Sequence, residues 1–292
     1  MRHKKNQAKY FYMFIMPWFL GFFLLTFMPL VYSIYLSLTQ YNGISMPKFI
    51  GLRNYIDLLF YDDLFRKSLF NSFHYAVLAV PTSLILALFM AFLLSKEIKI
   101  SNIFQIIFYF PSIAAGAAVF AVIKYLLRGE GGLINYVLSI FHIEGPFWLT
   151  DSKWAMTSLV IANLIFCGQQ MLIFLAGIKQ IPVSYYEAAK IDGAGNIKCF
   201  FKITFPLISN VFVFNLVMGI IGAFQVFVQP LIMTEGGPFK KTYMYGMYIY
   251  DSGFSHGRFG YAAALAWIMY IIILFISLVI LRSLKKLMNY TE

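Results

Sequence analysis

The stretch YYEAAKIDGAGN, residues 185–196, separates two long apolar runs of a 292-residue chain. What surrounds it sets the fold. The chain is 61% hydrophobic and 19% aromatic, with a mean hydropathy of +0.75, more apolar than a globular chain normally is. Crossing a hydrocarbon core of about 30 Å takes roughly 20 apolar residues in a helix. Six runs free of Asp, Glu, Lys and Arg reach that length: approximately 10–38, 68–95, 100–123, 154–178, 203–234 and 259–281. The expectation is an all-α polytopic membrane protein of six transmembrane helices, with a short helix in the connector between the fourth and fifth. The first run is too long and too aromatic for a cleaved signal peptide. Residues 1–9 then form a basic N-terminal segment, 10–284 a single transmembrane domain whose connector loop spans 179–206, and 285–292 a C-terminal tail.

Charge orients the chain. With the N-terminus in the cytoplasm, 13 of the 23 Lys and Arg fall on inside segments (Arg2, Lys4, Lys5, Lys9, Lys96, Lys99, Lys179, Lys190, Lys198, Lys202, Arg282, Lys285, Lys286), which favours both termini inside. The net charge of +11 is therefore mostly a membrane-face charge and does not imply nucleic-acid binding. Cys167 lies within the fourth run and Cys199 in the connector, so no disulfide framework is expected. The loops are too short for separate domains. One of the longest outer loops, 39–67, reads either as a solvated loop or as an interfacial or partner-facing piece.

The connector itself carries helix punctuation. Ser184 and Glu187 fit the S-x-x-E capping box, and Gly193 supplies a left-handed stop. A helix of about two turns is too short to be stable alone, so something must hold it. Ala188 and Ala189 remove bulk while Tyr185, Tyr186 and Ile191 offer apolar contact. From the residues alone this suits either the groove of another protein or an interfacial position on lipid headgroups.

The residues also carry a resemblance. Glu187-Ala188-Ala189, three residues, Gly193, nine residues, Ile203, one residue, then Phe205-Pro206 resembles the EAA loop of binding-protein-dependent ABC importer permeases, with Phe205 in place of the usual leucine. Pro17-Trp18, PLVYSIYLS at 29–37, Phe49-Ile50-Gly51-Leu52 with Asn54-Tyr55, Leu133-Ile134-Asn135-Tyr136, Asp192-Gly193-Ala194-Gly195 and Gly236-Gly237-Pro238 are similar to landmarks of its carbohydrate branch, the maltose and glycerol-phosphate permeases. The resemblance implies a non-catalytic subunit in the bacterial cytoplasmic membrane. Its partners would be a second homologous permease, two ATP-binding-cassette ATPase subunits, an extracytoplasmic solute-binding protein and a carbohydrate solute. By it, Tyr186, Glu187, Ala188, Ala189, Asp192 and Gly193 belong to the coupling helix that docks in the ATPase. No G-x-x-x-x-G-K-[ST] loop occurs in the chain, so ATP and Mg are expected on the partner ATPase and no cofactor on this chain. The glycine clusters at 129–132 and 235–238 read as turns.

Polar side chains inside spans face a bundle interior or a water-filled cavity. Asn215, Met218, Gly222, Gln225 and Gln229 fall on one helical stripe of the fifth run, and Asn163, Phe166, Gln170 and Phe174 on one of the fourth, with Gln169 beside it. Amides and aromatic faces suit a neutral, hydroxyl-rich solute, or they bind neighbouring helices together. The resemblance points to Gln225 and the stretch 168–171, including Met171, as the solute pathway. Ala114-Ala115-Gly116-Ala117-Ala118 and the stretch 219–222 read as close helix contacts, His74 as a packing residue, and the prolines within the runs as kinks. A glycerol-phosphate importer would need midplane cations, which this chain lacks and a partner permease could supply. An ion-coupled carrier would need intramembrane carboxylates or inverted repeats, and an intramembrane enzyme a convergent catalytic cluster; neither pattern is found.

Overall fold

The computed structural model describes residues 2–96 and 101–288, with the side chains of 11–96 and 101–285. Lys99, and the side chains of Arg2, Lys4, Lys5, Lys9 and Lys286 on which part of the charge reading rests, lie outside them. The first elements are α1 (Arg2–Phe22), a π-helical turn (Phe23–Phe27), α2 (Met28–Ser37), β1 (Thr39–Gln40), β2 (Lys48–Phe49) and α3 (Arg53–Ile56). Then follow α4 (Asp63–Leu94), α5 (Ser101–Ile113), α6 (Gly116–Leu126), α7 (Leu133–Ile140), α8 (Ala155–Leu164), α9 (Gly168–Lys179) and α10 (Val183–Ile191). The chain closes with α11 (Asn196–Cys199), α12 (Phe205–Leu207), α13 (Ser209–Phe224), α14 (Val228–Met233), α15 (Tyr245–Tyr250) and α16 (Phe259–Met288). Two compact units divide it: residues up to Asp62 with Ile249–Tyr270, and Asp63–Tyr248 with the residues from Ile271.

Among the described residues, three helical stretches are long and apolar enough to cross a membrane unaided: Phe11–Ser37, Asp63–Leu94 and Phe259–Lys285. The third, fourth and fifth runs are not straight helices. Each is a bent pair, α5 with α6 at 101°, α8 with α9 at 46°, and Asn196–Leu207 with α13 at 71°. The 101° turn falls in the alanine-glycine cluster, where Ala115 is extended at ψ 109°. That cluster therefore makes a corner, and its residues are half-buried or exposed in this chain. The bend at Ile208 follows Pro206, which is preceded by a π-helical turn, Phe200–Thr204; wider turns of this kind accommodate lost ladder bonds. Pro17 and Pro81, by contrast, sit inside continuous helices.

In the first unit the loop after α2 is ordered. β1 and β2 pair antiparallel with Thr39 opposite Phe49. The buried Asn54 amide donates to the carbonyls of Ser37 and Thr39 at 2.8 and 2.9 Å, satisfying groups that a helix end leaves open. Tyr55 Oη donates to Ser37 Oγ at 2.7 Å.

In the second unit α4 packs against α8, α9 and α13. Its buried face carries Ala79, Ser83, Ala87 and Ala91 at four-residue spacing, which places them on one line. Small side chains on that line let backbones approach where lipid gives no hydrophobic incentive to associate. Gly219, in the 219–222 stretch of α13, faces α4: a Cβ on it would lie 3.2 Å from Val80 Cγ1. His74 lies on the opposite, exposed side of α4, beside the Phe70 ring at 6.1 Å between centroids, so it is not a core residue of this chain. Gly168, first residue of α9, meets α5 so closely that a Cβ there would lie 2.1 Å from the Phe108 carbonyl oxygen. The glycine clusters are turns: Gly131 has φ +71°, and Gly237 N donates to Thr234 O at 2.8 Å. Asn71 of α4 holds the second loop through the carbonyls of Lys240 and Tyr243 at 2.8 and 3.0 Å.

Candidate functional site

A cavity of about 240 Å³ lies between α4, α9 and α13 and the break at 165–167. Three of the sequence-predicted residues meet there: Asn163, Gln169 and Gln170. Phe166, Met218 and Gly222 of the two stripes join them. Gly219 belongs to the wall because a Cβ on it would come within 3.4 Å of Gln170 Nε2. Gln170 Oε1 in this wall is buried with no partner among the described residues, as is Asn215 Nδ2, three residues before Met218 in α13.

Three predicted residues lie elsewhere. Met171 is fully buried and belongs to the helix packing. Gln225 is exposed at the C-terminal end of α13 and does not line the cavity. Gln229 is 2% exposed: its Oε1 accepts from Tyr75 Oη at 2.7 Å, and its Nε2 donates to Leu159 O at 2.7 Å. The stripe fails after Gly222 because α13 ends at Phe224. Pro230 has no N–H to offer, and its ring conflicts with the carbonyl of residue i−4, here Val226, so α14 starts anew. Tyr75 and Ser83 line the cavity and were missed. The available signal was the polar run Ser68, Ser72, Tyr75 and Ser83 on a single face of α4.

The connector forms α10, but two residues earlier than Tyr185. Pro182, at φ −58° and ψ 135°, is the residue before the first turn, and no side chain caps it. The Ser184–Glu187 capping box is therefore absent: a proline that presets the helix entry leaves Ser184 inside the first turn rather than ahead of it. The C-terminal end is as expected. Gly193 has φ +71°, its N–H donates to Lys190 O at 3.0 Å, and Ala194 N donates to Ala189 O at 2.8 Å, the paired bonds of a Schellman motif. A Cβ on Gly193 would touch nothing, so only the left-handed backbone selects glycine there.

What holds the short helix is Tyr186, whose hydroxyl pairs with Thr204 Oγ1 at 2.9 Å in the π-helical turn. Tyr186 and Ala189 face inward, half-buried, while Glu187, Ala188, Asp192 and Gly193 are exposed. So are Tyr185 and Ile191, the latter 88% exposed. An apolar surface of this kind needs a cover, lipid or protein.

A mostly helical chain with three long apolar helices, three bent apolar pairs, a polar cavity between helices and a capped surface helix has the build of a multi-pass membrane transport subunit. The chain belongs to the binding-protein-dependent transport system inner membrane component family, which it matches over residues 64–289. It is 37% identical to the probable ABC transporter permease protein YesP of Bacillus subtilis, over 96% of this chain and 91% of that one. It is 31% identical to the probable starch degradation products transport system permease protein AmyD of Thermoanaerobacterium thermosulfurigenes, over 92% of each. A chain of the bacterial alginate ABC transporter, solved in complex with an alginate pentasaccharide-bound periplasmic protein, shares the fold with a TM-score of 0.85, 19% identity and coverage of 99% and 98%.

Proposed function

We propose that this chain is one permease of an ATP-binding-cassette importer for a neutral sugar or oligosaccharide. Each bent pair counts as one span, giving six, and both termini lie in the cytoplasm. A second permease completes the pathway: a cavity of about 240 Å³ is below the roughly 300–1,000 Å³ of small-molecule sites. A binding protein delivers solute from outside, and two ATPase subunits hold the ATP and Mg while this chain holds none. The relatives' names support a sugar, and so does the uncharged lining: Asn163, Gln169, Gln170 and Tyr75 offer donors and acceptors, and Phe166 an aromatic face. That lining also argues against glycerol phosphate.

The observation that carries the coupling role is the placement of α10. It follows α9 and leads through the Asn196–Leu207 segment to α13, and the far ends of α9 and α13 line the cavity. Its exposed face of Tyr185, Glu187, Ala188 and Ile191 suits a cleft of the ATPase. ATP-driven closure would move α10 and switch the helices between two packings. The test is ATP hydrolysis by the reconstituted transporter on addition of sugar-loaded binding protein. Stimulation that is lost on Glu187→Ala or Gly193→Ala while the subunits stay assembled is the expected result; stimulation unchanged by both substitutions refutes the joint.

A further inference from the structure

Two further cavities lie on the connector's side of the second unit. One, of about 620 Å³, is lined by Lys96, Lys179 and Lys190 together with Ser95, Asn102 and the Tyr186 side chain. The other, of about 480 Å³, is an apolar groove whose walls include Phe89, Phe92, Phe200, Phe201, Phe205 and Ile197. Among the described residues no carboxylate lines either one. Phe92 and Asn196 belong to both, so the basic pocket and the phenylalanine groove share a wall. Lys96 Nζ stands 5.4 Å from the centre of the Phe92 ring, at this shared wall. The rings of Phe89 and Phe201 and the Ile197 side chain are more than half exposed, an open apolar surface beside three lysines.

We propose that an anionic phospholipid of the leaflet on the connector's side occupies this pair, its phosphate among the lysines and an acyl chain along the phenylalanines. A neutral lipid would fill the groove but leave the lysine charges unmatched; a free anion would match the lysines but leave the groove bare. A basic pocket between membrane helices is a recurrent headgroup site. Because Lys179 ends α9 and Lys190 and Tyr186 belong to α10, the lipid would brace the connector against α4. The inference rests on the connector lying at a membrane face, as in the function proposed above, but its readout is lipid retention and not transport, so it stands or falls separately.

The experiment is native mass spectrometry of the complete purified transporter, stripped of lipid in detergent and titrated with dioleoyl phosphatidylglycerol or dioleoyl phosphatidylcholine. Retention of the anionic lipid is expected to be stronger. With roughly a fivefold contribution per lysine, Lys96→Ala with Lys179→Ala should reduce its retention about 25-fold. The charge-keeping pair Lys96→Arg with Lys179→Arg should retain it and so reports any misfolding of the alanine pair. Phe201→Asp should weaken both lipids. Equal retention of the two lipids, or a preference that survives the alanine pair, overturns the proposal. So does displacement by inorganic phosphate alone, which assigns the lysines to a free anion, or an assembled transporter that takes no lipid because a protein subunit covers the groove.

Discussion

Replacing Gln229 by Met separates helix packing from solute contact. The amide links three helices, taking the Tyr75 hydroxyl proton from α4 and giving its own to Leu159 O of α8, both at 2.7 Å. Methionine keeps the length and removes both bonds. The Tyr75 hydroxyl, in a fully buried side chain, is left unpaired at a cost of about 1–3 kcal/mol. Leu159 lies in mid-helix where its carbonyl also serves the helix ladder, so that bond contributes closer to the ~0.6 kcal/mol average of membrane helices. Gln229→Met should therefore lose about 1.5–3.5 kcal/mol. Tyr75→Phe alone should lose about 1 kcal/mol. The double variant should be no worse than Gln229→Met, because phenylalanine removes the hydroxyl that methionine orphaned; the coupling is then at least about 1 kcal/mol. Denaturant-induced unfolding in bicelles measures all three, alongside half-saturation of ATPase stimulation by loaded binding protein. Additive losses, or a stable Gln229→Met variant with weakened half-saturation, would refute the packing role and return Gln229 to the solute pathway.

Further outcomes follow from the same geometry. Gly193→Ala should cost about 1–2 kcal/mol locally through the left-handed backbone alone, seen as faster amide exchange at Ala194 with the rest of the chain unchanged. Gly168→Ala should lower the unfolding midpoint strongly, because the added methyl meets the Phe108 backbone and overpacking costs about 1–3 kcal/mol or more. Tyr186→Phe should weaken α10 docking by about 0.5–1.5 kcal/mol, detected as increased proteolysis within 183–195. Gln170→Met should leave stability equal or raise it by about 1 kcal/mol, since Oε1 has no partner to lose, while solute import falls; a destabilised variant with normal import would contradict the cavity reading.

Much of the architecture was legible because hydropathy and charge report on transfer into lipid. The three long apolar helices came from that signal, and the connector helix and its glycine stop from its turn and cap residues. Direction did not. Hydropathy is a scalar, so the 101° corner at Ala115 and the break before Gly168 leave no trace in it. A helical stripe drawn through Gln225 and Gln229 assumed one continuous helix, and Pro230 broke the period between them. Ser184 looked like a cap because the motif fits, yet Pro182 starts the helix first. Tyr75 went unnoticed because an aromatic residue in an apolar run looks like filling until its hydroxyl partner is known. Asn163, Gln169 and Gln170 were found because amides in a span are expensive wherever they point.

The bent pairs also set a mechanical ratio. α9 has 12 residues and α13 has 16, giving arms of about 18 Å and about 24 Å. Each is attached near the connector at one end and ends at a chain break at the other, 165–167 and 225–227 respectively. Gln170 lies only two residues from the break of its arm, about 3 Å along it, so for a pivot at that break a displacement applied at Lys179 would reach the amide reduced about sixfold. The longer arm turns through a smaller angle for the same push, by about a quarter. If the connector moves as in the function proposed above, its travel is geared down at the cavity, trading distance for force.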